Sequence, residues 1–137
     1  MNYWLMKSEP SAYSWDDLIN QGIGTWDGVR NYAARLNLMA MKVGDLAFFY
    51  HSNEGKEIVG IVEVVKEHFP DETDDTGKWV VVQIKPREKL PKAVTLSAIK
   101  SDNRLTAMEL IRLSRLSVSK VSKEEFDIIL EHANNEN

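Results

Sequence analysis

The chain has no cysteine among its 137 residues, which excludes disulfides, thiolate metal sites and a cysteine nucleophile. Histidine is scarce: His51, His68 and His132 stand too far apart for a local motif such as His-x-x-x-His, so neither a metal nor a cofactor is expected. There is no long apolar run. The amino-terminal MNYWLMKSEP turns to charge after about four apolar residues, too few for a signal peptide or a bilayer span. A soluble, cytoplasmic protein is therefore expected (nuclear if eukaryotic), with no membrane partner and as a monomer. Positive charge is not in excess either. Seventeen Lys and Arg against 21 Asp and Glu give −4, which removes the simplest case for a polynucleotide partner, a broadly basic surface.

What is present is ordinary globular material, 43% hydrophobic and 28% charged. A chain of this length buries roughly two thirds of its unfolded surface, enough for one core. Repeats, low-complexity stretches and long linkers are absent, so residues 1–137 read as a single domain, with 134–137 (NNEN) a frayed tail. The charge is partitioned. Glu54 to Asp75 holds eight acids against Lys56 and Lys66, Lys85 to Lys123 holds ten Lys or Arg against Glu88, Asp102 and Glu109, and the block from Glu124 holds five acids and no base. Such a partition permits a local basic surface, although charge runs are as often simply solvated faces.

Tyr3 to Met6 reads as a short strand closed by Glu9 and Pro10. Ser14 and Asp17 have capping-box spacing and open a helix that Gly22 and Gly24 end. Trp26, Asp27 and Gly28 read as a tight turn. Asn31 to Met41 reads as a second helix with an apolar face of Tyr32, Leu36 and Met39. Asp45 to His51 predicts a strand buried on both sides, and Ile58 to Val65 reads the same way, with Gly60 marking a bulge or a close approach. An acidic loop from Pro70 to Lys78 precedes a strand over Trp79 to Ile84 that ends at Pro86. Thr95 to Lys100 forms one helical turn, Arg115 to Val121 a half-buried strand, and Ser122 with Glu125 a second capping box opening a helix to about His132. Five or six strands with short helices and no regular βαβ alternation predict an α+β domain on a small, strongly curved sheet or barrel.

No enzyme constellation stands out. There is no Gly-x-Ser-x-Gly elbow, and Gly22, Gly24 and Gly28 fit neither a dinucleotide fingerprint nor a phosphate loop. Binding chemistry is better represented. A Trp26 held in a turn can stack on a planar ligand, or it can plug the end of a barrel. Asn31 offers a donor and an acceptor suited to a base edge, or a helix cap, and Arg30 precedes it. Lys7 and Ser8 stand at a strand terminus. Ser114, Arg115, Leu116 and Ser117 set a guanidinium between hydroxyls, fit to grip a phosphate or to pair with an acid. Trp4, Trp15 and the Phe48, Phe49, Tyr50 run read as core, with Tyr50 and His51 the members able to reach a pocket.

Taken in order, YWLMKSEP, YSWDDL, WDGVRNYAARLNL, MKVGDLAFFYHS, IVGIVEVV, FPDET, VTLSAIK and SRLSVSKVS resemble the EVE domain family, of the thymocyte nuclear protein type, over nearly the whole chain. The resemblance implies a PUA-like fold, a small curved β pseudo-barrel of five or six strands with short helices around it. It also implies a non-catalytic nucleic-acid-binding module that recognises a modified base, such as methylated or hydroxymethylated cytosine in DNA or a modified base in RNA, as the related YTH readers do for methylated adenine. Carried over, Trp26 would be the aromatic wall and Asn31 the base-edge partner. Lys7 and Ser8 would form the rim, Tyr50, His51 and Ser52 another wall, and Ser114 to Ser117, Leu116 included, the opposite lip. Arg30, Arg115 and Lys120 would contact phosphates. The implied partners are DNA or RNA carrying a modified base, and other proteins of a nucleic-acid-processing or defence pathway. The acidic FPDETDD loop is expected to project away from the site. Two other readings remain open: a small-molecule sensor of a modified nucleoside, and a nucleic-acid-processing hydrolase.

Overall fold

The structure, a computed structural model, describes residues 1–135. Its frame is a mixed six-stranded sheet, left open, in the order β2-β5-β4-β3-β1-β6. The strands are β1 (Tyr3–Ser8), β2 (Gly24–Trp26), β3 (Leu46–His51), β4 (Glu57–Pro70), β5 (Val80–Thr95) and β6 (Val118–Val121). Between and after them come the helices α1 (Trp15–Gln21), α2 (Tyr32–Ala40), α3 (Leu96–Lys100), α4 (Glu109–Arg112) and α5 (Lys123–Asn134). β1 and β3 are parallel, and the long crossover that parallel strands require contains α1, β2 and α2. This is the α+β architecture that the sequence implies.

Side chains alternate along the inner strands and fill two cores. Trp4, Met6, Ala47 and Phe49 pack with Trp15, Leu18, Ala34 and Leu38 of α1 and α2. Leu5, Phe48 and Tyr50 pack on the other face with Ile99, Leu110, Phe126 and Ile129 of α3, α4 and α5. The aromatic run of β3 is buried on both faces for this reason, as its composition predicts. Register shifts between β4 and β5 at Ile58/Gly60, Ile61/Val62, Val64/Lys66 and Lys66/Phe69 bend the sheet. At Gly60 the bulge and the close approach coincide, since a Cβ there would lie 2.5 Å from the Trp15 indole.

Several elements depart from the sequence reading. β5 does not end at Pro86; it runs on to Thr95, with Pro86 opposite Val62 beside the Ile61/Val62 register shift and Pro91 between the paired Lys89 and Val94, at the irregularities where strands tolerate proline. Trp26 is not in a turn but closes β2, paired with Val82. β6 starts at Val118, leaving Arg115 to Ser117 in a loop. On α2 the buried side chains are Ala34, Asn37 and Leu38, while Tyr32 and Leu36 are each 59% exposed. The face that docks carries Ala34 and Leu38 into the first core, and between them the Asn37 amide donates to the Val118 carbonyl of β6 at 2.7 Å. A 3-10 turn (Asn103–Leu105) and α4 fill a stretch that the pattern left unassigned. Asn134 still belongs to α5 and Asn135 caps it; the remainder of the expected frayed tail, residues 136–137, lies outside the described residues.

Candidate functional site

The parallel pairing of β1 and β3 delivers Lys7 and Ser8 beside Tyr50 and His51 at one end of the sheet. Carboxyl ends of parallel strands are a common entrance for ligands. β2 is an edge strand and β1 lies beyond β3, yet Trp26 and Lys7 line one cavity of about 660 Å³. A strongly curled sheet accounts for that meeting. The volume falls in the range of small-ligand sites. Its walls come from the β1 end (Lys7, Ser8), the following turn (Glu9, Ala12, Tyr13), β2 and its loop (Thr25 to Asn31), and Ser117.

Trp26 is 7% exposed and packs edge-on against Phe49 (centroids 5.5 Å apart, planes at 90°) and Tyr13 (6.1 Å, 81°). It is therefore at once a core residue and a cavity wall, rather than an aromatic presented on a loop. Tyr13 adds a second ring, and its hydroxyl hydrogen-bonds Gln21 Oε1. Burial, reinforced by the carboxylates of Asp17 and Asp27, pushes the Tyr13 phenol up, so it stays a neutral donor. Asn31 caps α2, its Oδ1 accepting from the Ala34 N–H at 3.0 Å, which leaves its amide NH₂ for a ligand. Ser8 Oγ donates to the Tyr13 carbonyl and holds the turn against the strand end. Lys7 donates from Nζ to the Ser114 carbonyl at 2.7 Å and from its backbone N–H to Ser117 at 2.9 Å, tying the 114–117 lip to β1. Burial lowers the Lys7 pKa.

The other expected members divide among separate places. Tyr50, Ser52, Ser114 and Arg115 line a second cavity that shares Lys7, Glu9 and Ser117 with the first. Tyr50 is 3% exposed and belongs to the opposite core. Leu116 is buried in the first core and, with Ser114 and Arg115, borders a shallow groove against Asn31 and Ala33. His51 faces elsewhere: its Nε2 accepts the Trp15 N–H at 3.1 Å, its pKa is lowered by burial, and it lines a third hollow with Asp16 and Glu57. Lys120 sits on β6 beside yet another hollow with Trp4 and Glu109, well apart from Trp26 in the lining.

Arg30 is engaged within the protein. Its guanidinium donates to Asp71 Oδ2 at 3.0 Å, to Thr73 Oγ1 at 3.0 Å and to the Val29 carbonyl, and it lies over the Trp79 ring. The start of the acidic loop is thus bound to the site instead of projecting from it. Asp71, 2% exposed, also accepts the Gly28 N–H at 3.0 Å and the Thr73 N–H at 2.8 Å. Burial would raise its pKa, but these bonds from Thr73, Gly28 and Arg30 outweigh that and hold the carboxyl well below the usual range. Tyr13 and Asp71 stand in the YSWDDL and FPDET motifs but were not singled out as site residues; those motifs were the available signal for both.

The first cavity thus offers indole and phenol surfaces, hydroxyls, one amide and charges of both signs, Lys7 against Glu9 and Asp27. That suits a flat, neutral, polar-edged ligand better than a phosphate. Among the described residues no histidine lines it, and no group of three metal-binding side chains occurs.

A family model described as the EVE domain matches residues 2–132. Mouse thymocyte nuclear protein 1 is 39% identical over 94% of this chain and 72% of that protein. A crystal structure of a protein from Agrobacterium tumefaciens superimposes with a TM-score of 0.96 at 44% identity, covering 100% of this chain and 96% of that one. The human THYN1 protein, in complex with 5-methylcytosine containing DNA, superimposes with a TM-score of 0.95 at 34% identity and full coverage of both chains.

Proposed function

The chain belongs to the EVE domain family, and from that premise we propose that it is a non-catalytic nucleic-acid-binding module that takes a modified base into the cavity walled by Trp26 and Tyr13. The carrying observation is the pairing of that near-neutral, aromatic cavity with full-length similarity to human THYN1, a protein whose structure holds 5-methylcytosine DNA. A methylated or hydroxymethylated cytosine is the preferred ligand, and a modified base in RNA has the same flat, polar-edged chemistry. An extruded base is recognised by stacking and by hydrogen bonds to its edge. Here the rings of Trp26 and Tyr13 border it, the Asn31 NH₂ donates to its edge, and the hydroxyls of Ser8 and Ser117 lie at the rim. A methyl group adds only apolar contact, about 25 cal/mol per Å² buried, so preference for the modified base is about 1 to 3 kcal/mol.

Trp26→Ala is a poor test because it deletes a core side chain, at a cost of about 3 to 5 kcal/mol. Asn31→Ser is better: serine caps a helix about as well as asparagine, and only the amide is lost. Oligonucleotides with and without 5-methylcytosine, 5-hydroxymethylcytosine or N6-methyladenine are titrated against wild type and Asn31→Ser. Wild type should prefer one modified probe by about tenfold or more, and Asn31→Ser should weaken that probe with unchanged thermal stability. Equal binding of every modified probe and its plain counterpart contradicts the reading.

A further inference from the structure

The second cavity, also about 660 Å³, shares a wall with the first but differs from it in charge. Lys56, Lys100 and Arg115 line it, drawn from the turn before β4, the last residue of α3 and the loop after α4. Among the described residues, none of these three side chains makes a hydrogen bond or ion pair. Most other arginines and several lysines are engaged, Arg30 with Asp71, Arg87 with Glu63, Arg104 with Asp102 and Glu131, Lys123 with Asp127. The one acid on this cavity, Glu9, already accepts from Asn53 Nδ2 at 2.8 Å. Lys56 is held in place by its backbone, at φ 48° with its carbonyl accepting the Leu96 N–H at 2.9 Å. These three cations and Lys7 stand against the single carboxylate of Glu9, so the cavity carries a net positive charge that an anion offsets.

Building on the base-reading role above, we propose that this second cavity holds the phosphodiester group that flanks the base in the first, so that the ligand is a nucleotide strand and not a free nucleoside. Lys7, Glu9 and Ser117 form the partition between the two. A strand crossing it places a neutral base on the aromatic side and its backbone charge on the cationic side. Arg115 supplies a planar two-donor fork and the lysines supply point charges. Arg30 and Lys120 take no part, the first because Asp71 occupies it and the second because it faces another hollow.

The test compares wild type with the triple variant Lys56→Gln, Lys100→Gln, Arg115→Gln, whose substituted positions are all exposed. Lys7 is kept because it lines the base cavity. Probes are a single-stranded oligonucleotide carrying the preferred modified base, its unmodified twin, the modified nucleoside alone and inorganic phosphate, each over a range of salt. The triple variant should bind both oligonucleotides at least about tenfold more weakly at low salt, with log affinity against log salt shallower by ~0.7, the value for one single-strand phosphate contact. The modified-to-plain ratio and the weak nucleoside binding should not change. Unaltered oligonucleotide affinity and salt slope overturn the proposal, as does inorganic phosphate binding as tightly as the strand. If wild type shows no preference for a modified base while the variant still loses affinity and slope, the base reading fails and the phosphate site stands.

Discussion

Asp71 illustrates how a single side chain shapes the site. It satisfies the Gly28 N–H, the Thr73 N–H and hydroxyl, and the Arg30 guanidinium, and so sets the loop from Trp26 to Asn31. Hydrogen bonds to a charged group contribute about 1.5 to 3 kcal/mol; with Arg30 side chain 40% exposed, Asp71→Asn should cost about 2 kcal/mol at neutral pH. The folded pKa lies below the unfolded one, so this stabilisation is complete above about pH 4 and is lost as pH falls through the folded value. Urea midpoints of wild type and Asp71→Asn should therefore be well separated at pH 7 and converge below pH 4. Gly60 makes a second case. A Cβ there meets the Trp15 ring, so Gly60→Ala should destabilise by about 1 to 3 kcal/mol through overpacking. Combined with Trp15→Leu, the two losses should sum to more than the double variant shows; strict additivity in a double-mutant cycle would rule out the contact as the cause.

Among the elements, those closed by local chemistry were legible in the sequence. Both capping boxes are present, Ser14 with Asp17 and Ser122 with Glu125, and Asn31 and Thr95 cap their helices. Ser122→Ala should lower stability by about 1 kcal/mol, read from thermal or urea unfolding, with a helix α5 otherwise intact. The elements misread are those that distant partners decide. β2 has three residues and exists because Thr25 and Trp26 pair with Gln83 and Val82 far along the chain. β5 contains two prolines, Pro86 and Pro91, and continues past them only against the bulged β4. The exposed side of α2 was misjudged because the face that packs, Ala34 and Leu38 in the core with Asn37 bonded to β6, is set by those distant partners and not by the larger side chains. The same division holds for the candidate site. Trp26, Asn31, Lys7 and Ser8 meet as expected, whereas Arg30, His51 and Lys120 are placed by Asp71, the Trp15 N–H and β6, none of which is visible as a local pattern.

At the scale of the whole molecule, the partition of charge along the sequence does not survive as a partition in space. The basic block is largely dispersed or paired, and two of its members, Lys100 and Arg115, join Lys56 from the acidic block around one cavity. A chain with net charge −4 thereby keeps a local cationic site. On the proposed reading, long-range attraction to duplex DNA is correspondingly weak, and affinity depends on a base and its neighbouring backbone entering two adjoining cavities. Raising salt should weaken oligonucleotide binding only shallowly, with a slope near that of about one phosphate instead of the steep dependence of a basic protein.

The measurement that bears most directly on the central claim is a ¹⁵N-resolved NMR titration of wild type with the modified oligonucleotide and its plain twin, following indole and side-chain amide signals. Trp26 and Asn31 line the proposed base cavity, whereas the Trp4 indole is engaged by Asp45 at 3.1 Å beside a different hollow. The account predicts that the Trp26 indole and the Asn31 amide shift along one isotherm, tighter for the modified strand, while Trp4 stays still. Movement centred on Trp4, or identical isotherms for the two strands, would contradict it.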